Sequence, residues 1–125
     1  MKVKKTKATV LFVADLKRSL EFYSGRLGFE KSEESDDFAN LVVGNHNVAL
    51  LGPKTAGQLL GNARAAKTQN SMIAIEVDGV DNAHKELVSK GVKFLKPPAL
   101  QPWGQYAAYF CDPNGHIWEI FEWKK

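Results

Sequence analysis

The sequence predicts an α+β fold: two βαβββ modules in tandem, forming a curved mixed sheet with a concave cup and with the helices on its outer face. Three observations carry this expectation. Short apolar runs rich in β-branched residues surround one helix-period segment in each half. The order strand, helix, three strands occurs twice, with Val13 matching Val77 and Leu16 matching Val80 at an offset of 64 residues, and Gly28 matching Gly91 at 63. Finally, a lone module has one helix to cover one sheet face, so two copies placed edge to edge leave a shared hollow suited to a ligand.

Taken in order, "ATVLFV" (residues 8–13) is the first strand. In "ADLKRSLEFYSGRLGFE" Leu16, Leu20, Tyr23 and Leu27 recur at helical spacing behind Asp15, a natural amino-terminal cap. Three short strands follow at residues 29–34, 37–43 and 47–51, with "GNHN" as the tight turn between the last two. The second module repeats the order. "SMIAIEV" (71–77) is a strand, "VDNAHKELVSKG" a helix ending at Gly91, and "VKFLK", "QYAAYFC" and "HIWEIFEW" are strands. The chain therefore reads as a single domain, 1–125, of two modules at about 1–52 and 71–125, joined by the polar loop 53–70.

Composition narrows the function. The 125 residues suffice for one self-supporting core, with 44% hydrophobic and 25% charged residues. The net charge of +3 comes largely from lysines in the opening "MKVKKTK" and closing "WKK", which read as solvated ends and argue against nucleic acid. Cys111 is the only cysteine, so neither a disulfide framework nor a cysteine-rich metal site is expected, and a reducing cytoplasm is the default. The lysines before "ATVLFVA" mimic a secretory leader, but Asp15 and "LKRS" interrupt the apolar run at once. No run approaches the length of a membrane span.

Three stretches, "VADLKRSLEFYSGRLGFE", "IAIEVDGVDNAHKELVSKGVKF" and above all "PWGQYAAYFCDPNGHIWEIFEW", resemble the vicinal oxygen chelate superfamily of glyoxalases, extradiol dioxygenases and fosfomycin- and bleomycin-resistance proteins. The resemblance spans nearly the whole chain, and "DDFANLVV" with "QPWG" leans towards the bleomycin-resistance branch. In the enzymes of that superfamily one side chain from the first and fourth strands of each module binds a divalent metal. Carried over by position, these ligands fall at Ala8, at an unfixed position in "NVALLG", at Met72 and at Glu119. No Asp or Glu lies between Phe38 and Gly52, and His46 is expected in the turn. Glu119 is thus the only retained metal candidate, too little for a hard divalent ion that needs three or more protein donors. His84 is expected to face solvent, and His116, at odd spacing from Glu119, to point away from it.

The carboxylate of Glu119 inside the aromatic strand "HIWEIFEW" is the feature to explain. A buried charge must be paired, hydrogen-bonded or protonated. Either it meets a cationic or donating group on a bound molecule, or an internal partner such as Arg64 or Lys93, or it is a relic of metal-binding relatives. If "DPNG" closes its hairpin by pairing Cys111 with His116, then Ala108 lies opposite Glu119, Tyr106 opposite Phe121 and Phe110 opposite Ile117. A slip of one residue reverses those faces. Trp103, Tyr106, Phe110, Phe121 and Phe38 are then candidate stacking residues, with Phe12 and Met72 lining the cup. Trp118 and Phe22 read as core, and Cys111 as an unreactive thiol.

The expected function is metal-free binding, with no cofactor, of a small organic molecule: an antibiotic, or an aromatic or cationic metabolite. The resemblance implies a homodimer that sequesters its ligand, and the single cysteine places it by default in the cytoplasm. The alternative is a metal-dependent glyoxalase- or dioxygenase-like enzyme with atypical ligands. The acidic run "EESDD" either makes the mouth of the cup negative or is a solvated edge.

Overall fold

The apolar runs of the sequence become strands, and each sheet buries one of its faces. A computed structural model describes residues 2, 4–60 and 72–124. It divides into two units, Met1–Ala66 and Lys67–Lys125. The elements are β1 (Thr9–Phe12), α1 (Leu16–Leu20) running into a π-helical segment (Glu21–Arg26), β2 (Glu30–Glu34), β3 (Phe38–Val43), β4 (His46–Leu51), α2 (Pro53–Leu60), β5 (Met72–Glu76), α3 (Val80–Ser89), β6 (Phe94–Leu100), β7 (Gln105–Cys111) and β8 (Ile117–Trp123).

In the first unit four strands form a mixed sheet in the order β1-β4-β3-β2, with β1 parallel to β4 and the other pairs antiparallel. Asp15 caps α1 as expected, its Oδ1 accepting from the Arg18 amide at 3.3 Å. The helix then widens by one residue per turn. This lets the consecutive Phe22 and Tyr23 both sink into the core, where their rings meet edge to face at 5.2 Å. Gly28, at a φ of 77°, ends it in the left-handed region, and the Phe29 amide donates back to the Tyr23 carbonyl. Strand β2 is fully exposed and carries three glutamates and a lysine, a composition that discourages pairing at a sheet edge.

The second unit repeats this plan as β5-β8-β7-β6, with β5 parallel to β8. Its core is Trp118, Ile120, Ala108 and Phe110 under α3, which contributes Val80 and Leu87. Phe110 stacks on Trp118 with ring centroids 6.4 Å apart. The modular α+β fold is as the sequence predicts, and Trp118 and Phe22 are core. The hydrogen bonding resolves into two four-stranded sheets, one per unit, where one curved sheet was expected.

Two local expectations need correction. The segment predicted as a loop from residue 53 begins with helix α2, because Asp37 reaches its free amino end: Oδ2 accepts from the Thr55 amide at 2.6 Å, and the Thr55 hydroxyl donates to the Asp37 carbonyl at 3.0 Å. Pro53 suits the first helical position, where no amide hydrogen is needed. Strand β6 continues beyond residue 96 through Pro97 and Pro98, tolerable because β6 lies at the sheet edge and its register breaks around Lys96.

Candidate functional site

The hairpin β7–β8 decides what the second sheet presents on the face away from α3. Asp112, not Cys111, is the residue that pairs with His116. The Asp112 amide donates to the His116 carbonyl at 3.0 Å, and Asp112 Oδ1 accepts from the amides of His116 at 2.7 Å and Asn114 at 2.9 Å. Gly115, at a φ of 88°, closes a three-residue loop. A two-residue turn starting from Cys111 would forfeit these bonds.

The consequence is a one-residue slip from the expected register. Tyr109 lies opposite Glu119, Ala108 opposite Ile120, Ala107 opposite Phe121, Phe110 opposite Trp118 and Cys111 opposite Ile117. Because side chains alternate, the slip turns the whole of β7 over. Tyr106 and Phe110, expected to line the cup, face α3. The Tyr106 hydroxyl donates to Asp81 Oδ1 at 2.6 Å beneath the Lys124 ammonium, and Phe110 packs on Phe94 and Trp118. Tyr109, which the expected register had hidden, takes their place.

On the open face of this sheet three strands meet in rows. Met72, Ile117 and Cys111 form one, Ala74, Glu119 and Tyr109 the next, and Glu76, Phe121 and Ala107 the third. Glu119 is 5% exposed and Tyr109 half-buried. The Tyr109 hydroxyl donates to Glu119 Oε2 at 2.5 Å, a short charge-assisted bond. That bond, reinforced by burial and by the negative charge of Glu119, pushes the Tyr109 phenol up to about 12. Glu119 is therefore hydrogen-bonded, one of the three resolutions the sequence allowed. Lys93 is exposed and forms no ion pair with it, and Arg64 lies outside the described residues.

Among the described residues Tyr109 is the sole hydrogen-bond partner of that carboxylate, and Ser24 Oγ is the sole side-chain polar atom both sealed from solvent and unpaired. Tyr109 engages only one oxygen of Glu119, and the other has no hydrogen-bond partner among the described residues. Beside it Ala74 is exposed, as are its strand neighbours Met72 and Glu76. Phe121 meets Trp123 edge to face at 6.0 Å, and the Trp103 indole, 61% exposed, donates to Gln105 Oε1 at 2.8 Å.

The first sheet places Phe12, Leu51 and Phe38 in one row and Val10, Ala49 and Asn40 in the next. The offset of 64 makes Val10 the counterpart of Ala74, so the position equivalent to Glu119 is Ala49, and that of Tyr109 is Asn40. Asn40 Nδ2 donates to Ser32 Oγ at 2.8 Å and to Asn47 Oδ1 at 3.1 Å. The candidates thus fall into two sets: Phe12 and Phe38 on one sheet, and Met72, Glu119 and Phe121 on the other.

The histidines differ in part from expectation. His46 begins β4 rather than sitting in the turn, which is Gly44-Asn45, and its Nε2 shares a hydrogen bond with Thr9 Oγ1 at 2.7 Å. His84 is half-buried, its ring edge-on to Phe94 at 4.5 Å, rather than facing solvent. Cys111 is partly exposed, and burial followed by the nearby Asp112 charge pushes its thiol up, as for an unreactive cysteine. Glu122 escaped sequence reading. Its Oε2 accepts from the Val80 amide at 2.5 Å, capping α3 where Gly79 has no side chain to do so. That bond holds the Glu122 carboxyl below its ordinary range.

The donor set does not fit the divalent metal of the superfamily's enzymes. Ala8 and Ala49 carry no donor, Met72 offers a soft thioether, and one oxygen of Glu119 is engaged by Tyr109. Among the described residues no three His, Cys, Asp or Glu side chains gather into a metal-binding group.

Similarity to known proteins agrees with the fold. The family model described as "Glyoxalase/Bleomycin resistance protein/Dioxygenase superfamily" matches residues 5–120. An uncharacterized protein of Bacillus subtilis (strain 168), YraH, is 30% identical over 119 residues, covering 90% of this chain and 93% of that protein. The crystal structure of a glyoxalase/bleomycin resistance protein/dioxygenase from Nocardioides matches with a TM-score of 0.79 and 30% identity over 99% of this chain and 87% of its own. A superfamily member from Sphaerobacter thermophilus matches with a TM-score of 0.76 and 30% identity, over 96% and 98%. With two βαβββ units, a "DPNG" hairpin and an acidic last strand, the chain belongs to the glyoxalase/bleomycin resistance protein/dioxygenase superfamily.

Proposed function

We propose that this protein binds, without a metal or other cofactor, a small organic molecule that carries a cation or hydrogen-bond donor next to an apolar, aromatic body. One observation carries the reading: a nearly buried carboxylate, Glu119, is held by a phenol rather than by a protein cation, and its second oxygen has no hydrogen-bond partner among the described residues. A buried charge of this kind is costly unless something completes its solvation, and a ligand ammonium or amide does so. Ala74, Ala107, Ile117 and Phe121 around it supply the apolar floor. The donor set of the superfamily's metal site is not available to drive Lewis-acid chemistry here, which supports retention of the ligand over its conversion. In this reading the protein is a cytoplasmic homodimer that withholds an antibiotic or metabolite from its target. The net charge of +3 works against a cationic drug at long range, so selectivity rests on the local site.

A thermal-shift screen of glycopeptide antibiotics, planar aromatics and cationic metabolites tests this. A ligand at 100 times its dissociation constant stabilises by about 2.7 kcal/mol and raises the melting temperature by several degrees. A screen in which nothing raises it ends the proposal. So does elemental analysis of protein purified without chelator that finds stoichiometric zinc, nickel, manganese or iron, which would install the metal-dependent enzyme instead.

A further inference from the structure

We infer that Tyr109 is a positioning residue that makes Glu119 a one-sided acceptor, and that the ligand group received there is an organic ammonium entering over Ala74 between Glu119 and Glu76. This deepens the proposed binding function and rests on it.

The argument follows from the rows of the sheet. Glu119 has two cross-strand neighbours. On the β7 side Tyr109 fills the position and commits its only hydroxyl proton to Oε2. On the β5 side the neighbour is Ala74, a single methyl that is itself exposed although Glu119 beside it is 5% exposed. Ala74 is thus the exposed neighbour of Glu119 in this row, and its single methyl leaves room for a ligand group beside the carboxylate. Two residues along β5 and one strand spacing of about 4.8 Å from β8, Glu76 is exposed on the same face and forms no ion pair among the described residues. A group entering there meets two carboxylates and no donor, since the Tyr109 proton is taken. Such a spot selects a donor with positive charge and repels an anion. Phe121, in the row of Glu76, offers a ring to the body that carries the ammonium. Without Tyr109 the carboxylate would be free to rotate, and charge selectivity would fall more than affinity for the apolar body.

Isothermal titration of the full chain with tryptamine, tryptophol and indole-3-propionate, which share one ring, provides the test. Tryptamine is expected to bind about tenfold or more tightly than tryptophol, and indole-3-propionate weakest of all. Glu119→Gln should bring the amine-to-alcohol ratio near one, and Glu76→Gln should lower it about threefold. Tyr109→Phe should lower that ratio while leaving tryptophol affinity nearly unchanged, a split that loss of packing alone does not produce. Ala74→Leu, at an exposed position that leaves folding intact, should block tryptamine. Equal binding of amine and alcohol to the wild type, or an Ala74→Leu variant that still takes tryptamine, overturns this inference while the broader binding function survives on any hit from the wider screen. No binding by any of the three indoles overturns it as well. Unchanged selectivity in Tyr109→Phe removes the positioning role.

Discussion

The two modules share a topology and differ in one row of side chains. In the first, Val10, Ala49 and Asn40 lie side by side, and the amide of Asn40 is spent on Ser32 and Asn47. In the second, the same places hold Ala74, Glu119 and Tyr109. Duplication preserved the backbone hydrogen bonding, which depends little on side-chain identity, whereas the chemistry of each open face was free to diverge. In the second module the carboxylate does not stand alone. Where there is a glutamate there is a phenol opposite it, and where there is an alanine the opposite residue turns its hydrogen bonds elsewhere.

The strongest way to break this comparison is to move the carboxylate. Ala49 is 7% exposed, so Ala49→Glu should cost about 3 kcal/mol or more in urea unfolding, the toll of a buried charge without a partner. Adding Asn40→Tyr should restore about 1–2 kcal/mol if a cross-strand phenol is what makes the charge tolerable. No recovery in the double variant would count against that account.

The two β-hairpins that set the registers come next. Asp112→Ala removes the acceptor of two backbone amides and should cost about 2 kcal/mol, more than the roughly 1 kcal/mol expected when Gly44, at a φ of 60° in the first hairpin, becomes alanine. Amide exchange should then accelerate across β7 and β8 but not β3 and β4. Equal costs for the two substitutions would remove the special role given to Asp112.

Tyr109→Phe should cost about 1.5 kcal/mol at neutral pH by leaving Glu119 without its donor. The pH dependence has a definite sign. Because folding raises the phenol from 10.0 to about 12, its contribution is complete below pH 10 and fades as pH rises towards 12. The wild type should therefore lose stability over that window, and the variant should lose less. Parallel alkaline melting curves would show that the bond contributes nothing. Glu122→Gln acts at the other end of the scale. Its carboxyl is held below the ordinary 4.5, so its stabilisation is present above that pH and is lost as pH falls through the depressed value. Wild type and variant should converge in acid, and a constant gap between their melting temperatures would refute the cap. The smallest effect belongs to Trp103→Ala, at an exposed loop ring, with a change within about 0.5 kcal/mol of zero in stability.

The sequence by itself determined the modular α+β plan, the duplication, the helix start at Asp15, the burial of Trp118 and Phe22, and Glu119 as the residue to explain. These are legible because periodicity and burial are local properties, written in the spacing of apolar residues. Helix α2 was hidden in a polar stretch because its cap comes from Asp37, in the distant turn between β2 and β3. The partner of Glu119 was hidden because alternation has a period of two, so the same seven residues of β7 serve either face and only the loop can choose. Asp112 makes that choice by accepting hydrogen bonds from the amides of Asn114 and His116, turning Tyr106 and Phe110 towards α3 and Tyr109 towards Glu119. Tertiary structure decided the site because a single register step, invisible in composition, exchanges the faces of an entire strand.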